Sequence, residues 1–244
     1  MPVHFEEFGD PDDGTLVFVH GAGGSSATWT MQLRRLSDSF HIVAIDLNGH
    51  GKSPDRSESA VTESYIKDIH SVVTKFELPV LAGHSMGGAL TQIYALEYPE
   101  MLKGVILVST GSRLKVLPSI FELVENDFES YIESVRTFMF DESASEKLIS
   151  GSQDEIRKCP PKIISRDFQE CNRFDIMETV EKIKIPTLII VGENDMMTPV
   201  KYSQYMHDRI EGSEMHIIPR AGHSVMLEQY EEFNQIIYDW VSTL

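Results

Sequence analysis

Short runs of aliphatic and β-branched residues recur along the chain, each closed by glycine-rich or polar punctuation and followed by a stretch with helical apolar spacing. The runs cover 15–20 (TLVFVH), 41–46 (HIVAID), 79–82 (PVLA), 105–109 (VILVS), 186–191 (PTLIIV) and 214–219 (EMHIIP). Their apolar character is nearly continuous, which predicts strands buried on both faces of a mostly parallel sheet with helices covering each side. Residues 3–8 alternate instead and suit an edge strand.

The rhythm breaks after Ser109. Between Gly111 and Lys184 no strong strand pattern appears, only helix-like stretches at 117–126, 128–140 and 145–158, closed by Pro160-Pro161. An all-helical insertion between two strands predicts a lid over the carboxyl edge of the sheet, where open α/β folds bind ligands. The expected organisation is a core of residues 1–110 and 185–244 with a helical cap at 111–184. No internal repeat or low-complexity tract interrupts it.

Composition narrows the class. The 244 residues are 41% hydrophobic and 24% charged, as in an ordinary soluble globular protein. Lys and Arg total 21 against 38 Asp and Glu, a formal charge of −17, so nucleic acid and anionic membranes are not expected partners. The two cysteines, Cys159 and Cys171, have no neighbouring Cys or His at metal-ligand spacing. Residues 1–13 carry acid rather than a basic stretch and an apolar run, and a cytoplasmic location is expected.

The chemistry concentrates at 79–88, PVLAGHSMGG, where an apolar run enters Gly-x-Ser-x-Gly and a helix-like stretch follows. That context makes a nucleophile elbow: a strained turn that thrusts Ser85 clear of the sheet, with helix-start amides behind it. A serine hydroxyl needs a base, and the base needs a carboxylate to fix its tautomer. In the order serine, acid, histidine, Asp195 follows the run ending at Gly192 and His223 follows the run ending at Pro219. Glu193 is the rival acid, nearer the strand end. Among the nine histidines, His84 is expected to point away from Ser85, His20 to brace its loop, and His216 to be structural. The glycine-rich loop after the first buried run has no P-loop lysine; the backbone N–H of Ala22 is expected to join that of Met86 in an oxyanion hole. Phe121, Phe128, Phe138 and Met139, with Leu117 and Phe140, are candidates for an apolar substrate pocket.

These motifs together resemble the α/β-hydrolase superfamily. The likeness is carried by His20-Gly21, the 46–53 segment DLNGHGKS, the 83–88 elbow, Gly192 to Asp195 with Thr198-Pro199, and Ala221-Gly222-His223, in that order. It implies an α/β-hydrolase fold with a helical cap, and it implies that Asp46 braces a loop rather than serving as the acid. Serine at the elbow sets the chain apart from haloalkane dehalogenases and epoxide hydrolases, which resemble it but use Asp there. Haloperoxidase-like members commonly carry an aromatic residue where Ala22 stands, and carbon–carbon hydrolases often carry Gly-Pro-Gly where this chain has Ala22-Gly23-Gly24. The expected activity is hydrolysis of small, fairly apolar carboxylic esters, with no metal or organic cofactor. A narrow lactonase, thioesterase or carbon–carbon hydrolase, and a binding protein that keeps the triad without turnover, stay open as alternatives.

Overall fold

The computed structural model of the chain describes residues 2–244. The core strands are β1 (His4–Phe8), β2 (Thr15–Val19), β3 (His41–Asp46), β4 (Val80–His84), β5 (Gly104–Val108), β6 (Thr187–Gly192) and β7 (Glu214–Ile218). They form one sheet in the order β1-β3-β2-β4-β5-β6-β7, with β1 antiparallel to β3 and every other pair parallel. Strands β2 to β6 are buried along their whole length, as continuous apolar runs require. β7 departs from that expectation: it closes the sheet as an edge strand, and Ile217 is 48% exposed.

The helices are α1 (Thr30–Arg35), α2 (Val61–Val73), α3 (Met86–Glu97), α4 (Pro118–Asn126), α5 (Phe128–Met139), α6 (Glu146–Arg157), α7 (Pro161–Arg173), α8 (Val200–His207), α9 (Val225–Glu228) and α10 (Tyr230–Val241). Strand alternation divides the core into two layers. Val17, Val19 and Val43 face Tyr65, Leu90 and Met206 of α2, α3 and α8. Leu16 and Phe18 face Trp29, Leu33, Met226 and Phe233 on the side of α1, α9 and α10.

Four helices, α4 to α7, intervene between β5 and β6 and share an apolar cluster of their own that includes Tyr131, Ile132, Ile149, Ile156, Ile164 and Phe168. Pro160-Pro161 does not end the helical run: Pro161 occupies the first turn of α7, where its missing N–H costs no bond and its fixed φ suits the helix. The chain leaves and rejoins the core side by side, because Ile176 N donates to Ser112 O at 2.8 Å and Leu114 N to Phe174 O at 3.4 Å.

Candidate active site

β4 runs into α3 through a single residue, Ser85, with φ 54° and ψ −116°. A non-glycine residue pays roughly 1–3 kcal/mol for such a conformation, so the surroundings must hold it. Ser85 N donates to Val108 O at 3.0 Å, and Ser85 O accepts from Ala89 N at 3.1 Å and from Thr110 Oγ1 at 2.8 Å. The flanking glycines are required by close approach rather than by turn geometry. A Cβ at Gly83 would stand 2.2 Å from Gly87 O, and one at Gly87 would stand 2.4 Å from Val19 O.

Asp195 and His223 come from the loops after β6 and β7, and both are buried. His223 Nδ1 lies 2.9 Å from Asp195 Oδ2 and 3.1 Å from Oδ1. Asp195 also accepts from Met197 N at 2.9 Å, Thr198 N at 2.8 Å and Thr198 Oγ1 at 2.8 Å. Burial opposes its charge, but the His223 ring and these donors outweigh it and hold the carboxyl below the usual range. The pairing puts the imidazole proton on Nδ1 and leaves Nε2 as the acceptor. Glu193, the rival acid, is exposed. The two loops touch because Gly192 has no side chain: a Cβ there would stand 2.2 Å from Gly222 O.

Two other histidines lie close by. His20 Nδ1 donates to Gly21 O at 2.8 Å and its Nε2 accepts from Leu47 N at 3.2 Å, a loop brace. Burial, reinforced by neighbouring His50, lowers its pKa to about 4. His84, expected to point away from Ser85, reaches the backbone of the His223 loop. It shares the face of Ala82, lies edge-on to Trp29, and its Nε2 donates to His223 O at 3.0 Å with the two rings 4.7 Å apart. Burial and the His223 ring lower its pKa to about 3, so it stays neutral and supports the His223 backbone. Asp46 accepts from Ser26 N at 2.6 Å and Lys52 N at 2.9 Å, bracing two loops away from the reacting groups.

The loop carrying Ala22 lies directly over the elbow, since a Cβ at Gly21 would stand 3.2 Å from Ser85 Cβ. Among the described residues neither Ala22 N nor Met86 N donates to a protein acceptor. Met86 opens α3, so its amide also sits at the positive end of the helix dipole.

Ser85, His223 and Ala22 line one cavity of about 790 Å³, whose far wall comes from α5, α6 and α7. Met139 belongs to that wall, together with Tyr131, Leu148, Ile156 and Phe168, while Met197 and Met226 close it from the core side. Phe121, Phe128 and Phe138, expected in the pocket, lie outside it. Phe121 packs edge-on against Phe168, Phe128 stacks on Tyr131, and both serve the cohesion of the helical cluster. Phe138 is half-buried, and the last turn of α5 presents Met139 to the cavity instead. Leu117 is exposed and Phe140 is buried outside the cavity. Among the described residues no group of three His, Cys, Asp or Glu side chains could hold a metal ion, and no helix is long and apolar enough to cross a membrane.

A family profile described as "Serine aminopeptidase, S33" matches residues 10–230. The chain belongs to this family of α/β-hydrolases. A structure titled "Structure of a thermophilic esterase" superposes with a TM-score of 0.86 at 30% identity, over 99% of this chain and 98% of that one. The enol-lactonase from Burkholderia xenovorans LB400 shares the fold with a TM-score of 0.92 at 19% identity, over 98% of this chain and 96% of its own. Among curated relatives, the 2-hydroxy-6-oxo-6-phenylhexa-2,4-dienoate hydrolase of Comamonas testosteroni is 24% identical over 98% of this chain and 91% of its length.

Proposed function

We propose that this α/β-hydrolase is a serine carboxylesterase acting on small, fairly apolar esters. One observation carries the reading: a strained serine with two unengaged backbone amides beside it opens on the same cavity as a buried His223–Asp195 pair. His223 Nε2 takes the Ser85 proton as Oγ attacks the ester carbonyl, and the amides of Ala22 and Met86 receive the oxyanion. The same imidazole then protonates the departing alcohol. Water, deprotonated by His223, releases the acid from Ser85, while Asp195 stabilises the imidazolium in both half-reactions. The helices α4 to α7 act as the cap, and the aliphatic, Met and aromatic wall that α5 to α7 supply favours an uncharged acyl or alcohol group. Both cysteines are free and buried, which fits a cytoplasmic enzyme.

The test is turnover of p-nitrophenyl acetate and butyrate. Ser85→Ala should lower kcat by at least ~10³-fold with the fold intact, as removal of a triad nucleophile does, and a fluorophosphonate should label Ser85 alone. Equal turnover by the variant, or labelling elsewhere, overturns the assignment. A second reading, a lactonase or another narrow hydrolase of this fold, draws on the likeness to the enol-lactonase and the dienoate hydrolase. A substrate panel in which a lactone or a dienoate exceeds every simple ester in kcat/KM would select it.

A further inference from the structure

Asp167, on α7, is fully buried and, among the described residues, has no Lys or Arg salt bridge; its one possible charge partner is the His50 ring. Arg166 beside it is committed elsewhere, to Asn48 O at 2.7 Å, Tyr65 Oη at 2.9 Å and Asp55 Oδ1 at 3.0 Å. The Asp167 carboxylate instead gathers three donors from three separate segments. Oδ1 accepts from Tyr65 Oη at 2.5 Å, and Oδ2 accepts from His50 Nε2 at 2.8 Å and from Gly23 N at 2.9 Å. Burial opposes the charge, and the His50 ring with these bonds overcomes it, holding the carboxyl below its usual range.

A buried carboxylate is a poor device for docking a helix, because a well-packed apolar side chain of similar volume does so without the desolvation penalty. What an apolar side chain cannot do is hold a backbone amide. The amide held here follows Ala22 directly. Gly23 has φ +67°, and a Cβ there would stand 3.0 Å from Ile164 Cγ1, so α7 grips the loop with two side chains. The turn is closed behind it by Gly24 N donating to Gly21 O at 3.1 Å, and His20 Nδ1 donates to the same oxygen at 2.8 Å. Peptide planarity makes the Ala22 N–H point opposite to Gly21 O. Fixing Gly21 O from one side and Gly23 N from the other therefore sets the direction of the Ala22 N–H.

We propose that Asp167 is a positioning residue: through Gly23 N it locks the turn that aims the Ala22 amide at the substrate oxyanion, so that seating α7 on the core completes the oxyanion hole. His50 and Tyr65, from the core, hold the carboxylate in place. The role rests on the serine-hydrolase reading above, and it adds that the cap helices contribute to the chemical step as well as to the substrate chamber.

The experiment has two arms. In wild type, hydrogen exchange read by NMR should find the Gly23 amide far slower to exchange than a free loop amide, and Asp167→Asn should accelerate exchange across 20–25. In kinetics, Asp167→Asn should lower kcat for p-nitrophenyl butyrate at least ~10-fold with KM within ~2-fold, and weaken a trifluoromethyl ketone inhibitor by the same factor, as loss of an oxyanion donor does. Fast exchange of Gly23 N in the wild-type protein overturns the clamp whether or not the variant folds. Unchanged kcat and inhibitor affinity in Asp167→Asn, where Ser85→Ala is inactive, overturn the positioning role and leave the esterase reading intact. Wild-type turnover that survives Ser85→Ala overturns the esterase reading and with it the oxyanion role, while exchange still judges the clamp.

Discussion

At Gly87 a single hydrogen separates the start of α3 from the backbone of β2. A methyl group there would meet Val19 O at 2.4 Å and His20 O at 2.5 Å, neither of which can move without disturbing the central strand. Gly87→Ala should therefore cost about 1–3 kcal/mol through overpacking, read as a lowered urea midpoint. It should also reduce turnover, because the clash displaces the helix that carries Met86 and abuts Ser85. An unchanged midpoint and unchanged kcat would show that the elbow tolerates the methyl group. The same scale explains why some candidate site residues could be found in the sequence and others could not. Ser85, Asp195 and His223 stand in local patterns, each just past the carboxyl end of an apolar run. Asp167 has no such pattern, since its partners lie 144, 117 and 102 residues away and meet only once α7 is seated. His84 was hidden differently. The side of the sheet it occupies follows from β4 alternation, but what waits there, the His223 carbonyl, is set by the end of β7.

Between elements, one side chain straps the insertion to the His223 loop. Glu228, at the end of α9, accepts from Asp141 N at 2.7 Å, just beyond α5, and from Gly222 N at 2.9 Å. Burial pushes its pKa up to about 7 against the pull of those two amides, and the Asp141 and Asp195 charges add to the rise. A carboxyl whose pKa is raised by folding binds its proton more tightly in the folded chain. Its contribution to stability is then fully present below the ordinary value of 4.5 and is lost as pH rises through about 7. Glu228→Gln should flatten that part of the Tm profile between pH 4.5 and 8 relative to wild type. Parallel profiles for the two proteins would refute it. The insertion's helices were largely legible from spacing, and α4, α5 and α6 begin and end within one residue of the expected stretches. α7 was not legible, because a proline pair reads equally as the end of one helix or the first turn of the next. The pocket aromatics misled for a related reason. Large apolar side chains in a small helical layer are needed first for that layer's own core, so Phe121 and Phe128 face inward.

For the molecule as a whole, a charge of −17 sets the approach of ligands. Among the residues lining the cavity, Lys147 and Arg220 stand with Glu155 and the part-ionised Glu228, too small a cationic excess to reverse the general negative field. An ester bearing a carboxylate should therefore show kcat/KM rising with salt as screening shortens to about 8 Å near 0.15 M. A neutral ester of the same size should show little change. Equal salt responses would mean that the field does not reach the site.

The side-by-side exit and return of the chain at Ser112 and Ile176 carries an evolutionary corollary. A module spliced through adjacent points can be rewritten, lengthened or exchanged without shifting the register of any strand beneath it. Ancestral diversification of ligand preference would then run through α4 to α6, leaving the proposed proton-transfer residues untouched. Under the clamp proposed above, any transplanted replacement would have to bring a carboxylate to the spot that Asp167 fills.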